Sequence, residues 1–114
     1  VLQGAQMLFY PTAIGSEPKR PEYSSAEHWQ RVMQGHAAAN MVPVIAANRV
    51  GVEADDDVTL TFYGSSFITD NRGEILSKTG LNNENIIINS VDVNIIDEEK
   101  EWWGLFRDRR VDIY

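Results

Sequence analysis

Residues 34–51, QGHAAANMVPVIAANRVG, contain six consecutive positions without a polar side chain, Val42 to Ala47, set between a helical pattern and the polar pair Asn48-Arg49. A short apolar run of this kind, free of polar alternation, is the pattern of a strand covered on both faces. Such a strand needs a neighbouring layer. Ala37, Ala38 and Ala39, at the end of the preceding helical pattern, leave room for a helix to lie close on a sheet. The chain is therefore expected to be a layered α/β domain.

The flanking sequence fits that expectation. Val1 to Gln6 reads as the last turns of a helix, and Met7 to Tyr10 as a buried strand stopped by Pro11. Thr12 to Tyr23 is a loop carrying Gly15, Pro18 and Pro21. Ser24-x-x-Glu27 predicts a capping box opening a helix, with Trp29, Val32, Met33, His36 and Asn40 on one face. Pro43 stops the helix ahead of the strand. Gly51 to Asp57 reads as an acidic loop, Thr59 to Tyr63 and Ser65 to Thr69 as strand segments, and Asp70 to Gly73 as a hairpin turn before a strand over Glu74 to Lys78. After a turn at Asn82 to Asn85, Ile86 to Val93 predicts a β-branched strand with Asp92 as its polar outlier. Asn94 to Phe106 predicts a helix, and Arg107 to Tyr114 a charged end segment.

Composition excludes several classes. At 114 residues the chain is one domain at most. Its net charge of −7 argues against nucleic acid as a partner, because phosphate binding needs clustered Lys and Arg. No apolar run approaches the roughly 20 residues that span a membrane, so no membrane role is expected. Val1 to Tyr10 lacks a basic segment and cleavage site of a secretory signal. The chain has no cysteine, which removes disulfides and thiolate metal sites and fits a cytoplasmic location.

The residues offer little chemistry by themselves. His28 and His36 are eight apart, where a helical metal pair needs a spacing of four, and both are expected to be structural. Gly64-Ser65-Ser66 lacks the nucleophile-elbow pattern, and no phosphate-binding glycine motif is present. Trp102-Trp103 is expected to pack internally, and Asp108, Arg109 and Arg110 to form an ion-pair network.

Several motifs, taken in order, do resemble a known family. Val1-Leu2-Gln3-Gly4-Ala5, then Leu8 to Pro18 (LFYPTAIGSEP), His28 to Ala37 (HWQRVMQGHA), Ala47 to Gly51 (ANRVG), Thr61 to Ile68 (TFYGSSFI) and Trp103 to Arg110 (WGLFRDRR) are similar to the second half of the nitrilase superfamily of carbon-nitrogen hydrolases. Within it the motifs resemble the N-carbamoylputrescine amidases. Val111 stands where that family's terminus carries proline, which leaves the local turn less rigid.

The resemblance implies an α-β-β-α sandwich, of which residues 1–114 supply the C-terminal part: one mixed sheet and its covering helices. It implies amide hydrolysis by a Glu-Lys-Cys triad, with Glu as general base, Cys as nucleophile and Lys holding the oxyanion. All three belong upstream of Val1 on this reading, so the chain carries no catalytic residue and is expected to be inactive alone. Neither cofactor nor metal is implied. Thr12, Ala13, Ile14, Glu17 and Asn48 are the candidate substrate-binding residues, with Glu17 placed to meet an ammonium end. The implied partners are the missing N-terminal half of the same domain, further copies in a homo-oligomer, and a small carbamoyl or amide substrate. Two other readings stand beside it: a non-catalytic truncated module acting in dimerisation or partner binding, and an unrelated α/β ligand-binding domain.

Overall fold

The computed structural model describes residues 1–113; Tyr114, the last residue of the charged end segment, lies outside them. Eight elements follow in order: β1 (Leu8–Thr12), α1 (Ala26–Asn40), β2 (Val44–Asn48), β3 (Val50–Asp55), β4 (Val58–Tyr63), β5 (Phe67–Thr69), β6 (Ile75–Lys78) and α2 (Val93–Trp103). Four strands form a mixed sheet in the order β1-β2-β5-β6, with β1 and β2 parallel and the other pairs antiparallel. A parallel pair needs a crossover, and α1 provides it. Strands β3 and β4 form a separate antiparallel hairpin. Among the described residues no helix is long and apolar enough to cross a membrane.

The core lies between α1 and one face of the mixed sheet. Trp29, Met33 and Ala37 from α1 meet Val44 and Ala46 from β2 and Phe67 from β5; Leu8, Tyr10 and Ile75 pack against this group. Strand alternation puts Phe9, Ile45, Ala47 and Ile68 on the opposite face. There Ile68 is buried, Ile45 half-buried and Ala47 exposed, while Phe9 is 69% exposed. The double coverage expected from the apolar run is thus complete on one side only.

Several expectations are corrected. Val1 to Gln6 is not helical but holds a single turn, with the Gly4 amide donating to the Val1 carbonyl. Pro11 does not stop β1. It sits inside the strand, tolerated because β1 is at the sheet edge, where a missing N–H breaks no ladder. The predicted capping box does not form. The N-cap is Ser25 and not Ser24, its hydroxyl lies 3.5 Å from the Tyr63 hydroxyl, and Glu27 moves out of the position that would reach back. Val32, expected on the buried face, is partly exposed.

Gly51 to Asp55 is strand and not acidic loop. Val50 to Asp55 pairs residue for residue with Val58 to Tyr63, leaving Asp56-Asp57 as a two-residue turn. Asp56 adopts a positive φ of 46° there, as tight hairpin turns require. The strand predicted over Ile86 to Val93 is absent. Ile86 and Ile88 are 84% and 86% exposed with Ile87 half-buried, the alternation of an extended segment without a ladder partner. Asp92 is not a strand outlier but the N-cap of α2, accepting from the amides of Asn94 at 2.9 Å and Ile95 at 3.4 Å. Trp102 and Trp103 are 82% and 59% exposed, not packed inside. The expected network of Asp108, Arg109 and Arg110 resolves into two separate exposed pairs, Arg107 with Asp108 and Arg110 with Asp112. Exposed pairs between near neighbours contribute little.

The turn between β5 and β6 forms as expected and anchors both helices. Asp70 Oδ1 accepts from the amides of Arg72 and Glu74 at 2.8 and 2.9 Å. Gln34 on α1 donates to the Gly73 carbonyl at 2.8 Å, while Asn71 and Arg72 both donate to the Glu99 carboxylate on α2. The Asn71 amide, and after it the Arg72 guanidinium, hold the Glu99 pKa below its ordinary value of 4.5. A carboxyl with a depressed folded-state pKa contributes stability above its unfolded-state pKa and loses it as pH falls through the folded-state value. We therefore expect the urea midpoint to fall between about pH 7 and about pH 3, and Glu99→Gln to flatten that fall. Equal acid sensitivity in wild type and Glu99→Gln, by urea titration at both pH values, would contradict the assignment.

Candidate functional site

Strands β1 and β2 run in parallel with Thr12 opposite Asn48, so both carboxyl ends open at the same level. In sheets with parallel strands that edge is the usual place for a ligand. The loop leaving β1 turns back across this edge and meets the β3–β4 hairpin. Gly15 bridges Phe62, the Ser16 amide donates to the Thr61 carbonyl at 2.8 Å, and the Thr61 amide donates to Ser16 Oγ at 2.9 Å. Gly15 is required by close approach: a Cβ there would lie 2.4 Å from the Thr61 carbonyl oxygen.

Asn48 sits at the centre. Its Oδ1 accepts from the Ile14 amide at 2.9 Å, and its Nδ2 donates to the Ile14 carbonyl at 3.0 Å and the Gly64 carbonyl at 2.9 Å. Its backbone is held as firmly. The Asn48 amide donates to Ser66 Oγ at 2.9 Å, and the Ser66 hydroxyl donates to the Asn48 carbonyl at 3.2 Å. The Arg49 amide donates to the Thr12 carbonyl, and the Gly64 amide to the Arg49 carbonyl.

Of the five candidate residues, Thr12, Ala13, Ile14 and Asn48 come together at this edge, while Glu17 lies further out on the loop. The Thr12 hydroxyl donates to the Ala47 carbonyl at 3.2 Å. Ala13 is exposed. Ile14 sends its side chain into the core, so its backbone is what the strand end presents. Glu17 is exposed, and its carbonyl accepts from the Arg20 amide in a turn.

Tyr63, Gly64 and Ser66, none of them among the five candidate substrate-binding residues, also stand at this edge. Tyr63 closes the β4 end of the group, with its ring centroid 6.1 Å from that of Trp29. Burial, and to a smaller extent the nearby charges of Glu17 and Tyr23, push its phenol pKa up, opposed by the Ser25 hydrogen bond. It is a neutral hydroxyl at ordinary pH. The sequence signal for this corner was Gly64-Ser65 between two strand patterns. Both adopt positive φ, 53° and 57°, which marks a chain reversal.

The polar side chains gathered at this edge are engaged within the chain. The hydroxyls of Ser65 and Ser66 are bonded to backbone oxygens. His36 is engaged by the Tyr10 hydroxyl at 2.9 Å, and His28 is exposed. Among the described residues no group of three or more His, Asp or Glu is placed to hold a metal ion. A cleft of about 250 Å³ lies elsewhere, between Pro43, Asn71, Leu76, Val91 and Ile95, and none of the five candidates lines it.

Comparison with known proteins gives this geometry its context. The carbon-nitrogen hydrolase family profile matches residues 1–100. The chain is 54% identical over 113 residues to a citrullinase of Francisella tularensis, covering 99% of the chain and 40% of that protein. It is 49% identical over 118 residues to the N-carbamoylputrescine amidase of Oryza sativa, covering all of the chain and 39% of that protein. The crystal structure of a carbon-nitrogen hydrolase from Helicobacter pylori G27 superposes with a TM-score of 0.85 at 38% identity, over 99% of this chain and 41% of that one. The chain thus spans about two fifths of the length of the curated relatives it matches.

Proposed function

The chain belongs to the carbon-nitrogen hydrolase family and has the nitrilase fold, and from that premise we propose that it forms scaffold and pocket wall of an enzyme that hydrolyses N-carbamoylputrescine to putrescine, CO2 and ammonia. The observation that carries this reading is the 49% identity to an N-carbamoylputrescine amidase over the whole chain. Citrulline, the substrate in the other relative's name, is likewise a carbamoylated amine. The two molecules share the ureido group and differ in the α-carboxylate of citrulline. An exposed Glu17 on the loop favours an ammonium end and repels a carboxylate. That sign selects N-carbamoylputrescine over citrulline.

The 114 residues contain no cysteine, so the thiolate that attacks the ureido carbon lies outside them on this reading. The exposed side of the sheet at Phe9 and Ala47 is where the rest of such a domain would pack, with further copies completing a homo-oligomer in the cytoplasm. Ammonia release by the polypeptide that the gene encodes in full tests the proposal, with N-carbamoylputrescine, citrulline and a simple aliphatic amide supplied separately. The expected order of kcat/KM is N-carbamoylputrescine, then citrulline, then the amide. A simple amide turned over faster than either ureido compound would overturn it.

A further inference from the structure

We propose that Asn48 is a positioning residue that fixes the substrate wall, its two N–H donors spent within the chain and not on substrate; this rests on the carbon-nitrogen hydrolase reading above. A free asparagine amide offers two donors and an acceptor oxygen with two lone pairs. Here both donors are taken by the carbonyls of Ile14 and Gly64, and the oxygen accepts from the Ile14 amide. One side chain thus grips both polar groups of a single residue outside any strand and ties it to the end of β4. Those contacts span 34 and 16 residues of sequence, so they set tertiary position and not local turn shape. The Ser66 hydroxyl, bonded to both the amide and the carbonyl of Asn48, keeps the grip from shifting along β2. Thr12, Ala13 and Glu17 take their places from this fixed Ile14.

A contact donated to substrate would need a free N–H, and both donors at Asn48 are occupied within the chain. The wall therefore acts through backbone placement. Loosening it should weaken substrate binding while leaving the bond-breaking step largely intact, because small displacements of positioning groups act first on the bound geometry.

The test uses the polypeptide the gene encodes in full, with steady-state kinetics on N-carbamoylputrescine and hydrogen exchange of the Ile14 amide. Asn48→Ala is expected to raise KM about tenfold with kcat changed by less than about threefold, and to speed Ile14 exchange by about tenfold or more. Asn48→Asp keeps the acceptor for the Ile14 amide but sets a carboxylate against two carbonyl oxygens. It should raise KM as well, and it serves where the alanine variant fails to fold. Gln34→Ala removes a hydrogen bond to the Gly73 carbonyl in the β5–β6 turn, at the other end of the sheet, and should move KM by less than about twofold.

Faster Ile14 exchange with an unchanged KM would reduce Asn48 to a structural role and overturn the proposal. So would an equal KM rise in Gln34→Ala. A wild-type protein inactive toward N-carbamoylputrescine but active toward citrulline or an aliphatic amide overturns the substrate reading alone, and the KM comparison is then made on the active compound. Inactivity toward all three overturns both.

Discussion

Phe67→Ala is expected to remove about 3–5 kcal/mol of stability, the range for deleting a fully buried aromatic side chain. Phe67 is completely buried, and its ring meets Trp29 edge-on at 5.4 Å between centroids, with 69° between the planes. It lies on β5, an interior strand of the mixed sheet, and contacts from α1 and β2 converge on it. Truncation would open a cavity beside Val44 and Ala46 on β2 and Met33 on α1, two elements whose own packing keeps them from closing over it. A loss of this size is a large share of the roughly 5–15 kcal/mol that stabilises a domain. Phe9→Ala is the internal comparison, because Phe9 is mostly exposed in the described chain. Urea unfolding of both variants checks the assignment, and a loss below about 1 kcal/mol for Phe67→Ala would place the core elsewhere.

Gly15→Ala is the second large effect. The glycine does not have a positive φ; the constraint is space. An added Cβ would stand 2.4 Å from the Thr61 carbonyl oxygen, 2.9 Å from its carbon and 3.0 Å from the Phe62 Cα. All three are backbone atoms, so no side-chain rotation relieves the overlap. The loop and hairpin must separate, straining the Gly15–Phe62 bridge and the Ser16–Thr61 bonds. We expect a loss of about 2–3 kcal/mol, at the upper end for overpacking. Because the same joint holds the strand-end wall, hydrolysis by the complete polypeptide should fall with it. Gly35→Ala provides the contrast. That helical position has nothing within 4 Å of an added Cβ, and the substitution should stabilise by about 0.5–1 kcal/mol. Gly15→Ala as stable as wild type, in parallel thermal unfolding, would show that the loop does not pack on the hairpin as described.

How far each element could be read from sequence follows from how local its causes are. The helix α1 with Trp29 and Met33 on its buried face, the apolar β2 and the Asp70–Gly73 turn depend on period and turn chemistry, and these were legible, although Val32 of the expected stripe lies outward. Strand β3 was hidden because Glu53 and Asp55 look like loop residues, whereas cross-strand pairing to Leu60 and Val58 makes them strand. Ile86–Ile88 misled in the opposite direction: β-branched residues favour extension, but a strand also needs a partner. Asp92 belonged to the next element as its cap.

The site was legible as a region and not as a mechanism of support. Position at a strand end pointed to Asn48, and the motif resemblance pointed to the loop that contains Ile14 and Glu17. Nothing in local sequence reveals that the Asn48 amide is spent on Ile14 and Gly64, because those partners are brought in by the hairpin. Tyr63 and Ser66 were missed for the same reason.

On the proposed function, these 114 residues build scaffold and wall while the attacking group lies outside them. The most direct test is to acid-quench the complete polypeptide during turnover of N-carbamoylputrescine and map the covalently carbamoylated residue by tandem mass spectrometry. The account predicts a carbamoyl group on a cysteine thiol, and hence on no residue from Val1 to Tyr114. A turnover-dependent adduct on Ser65, Ser66 or any other residue of this chain would contradict it.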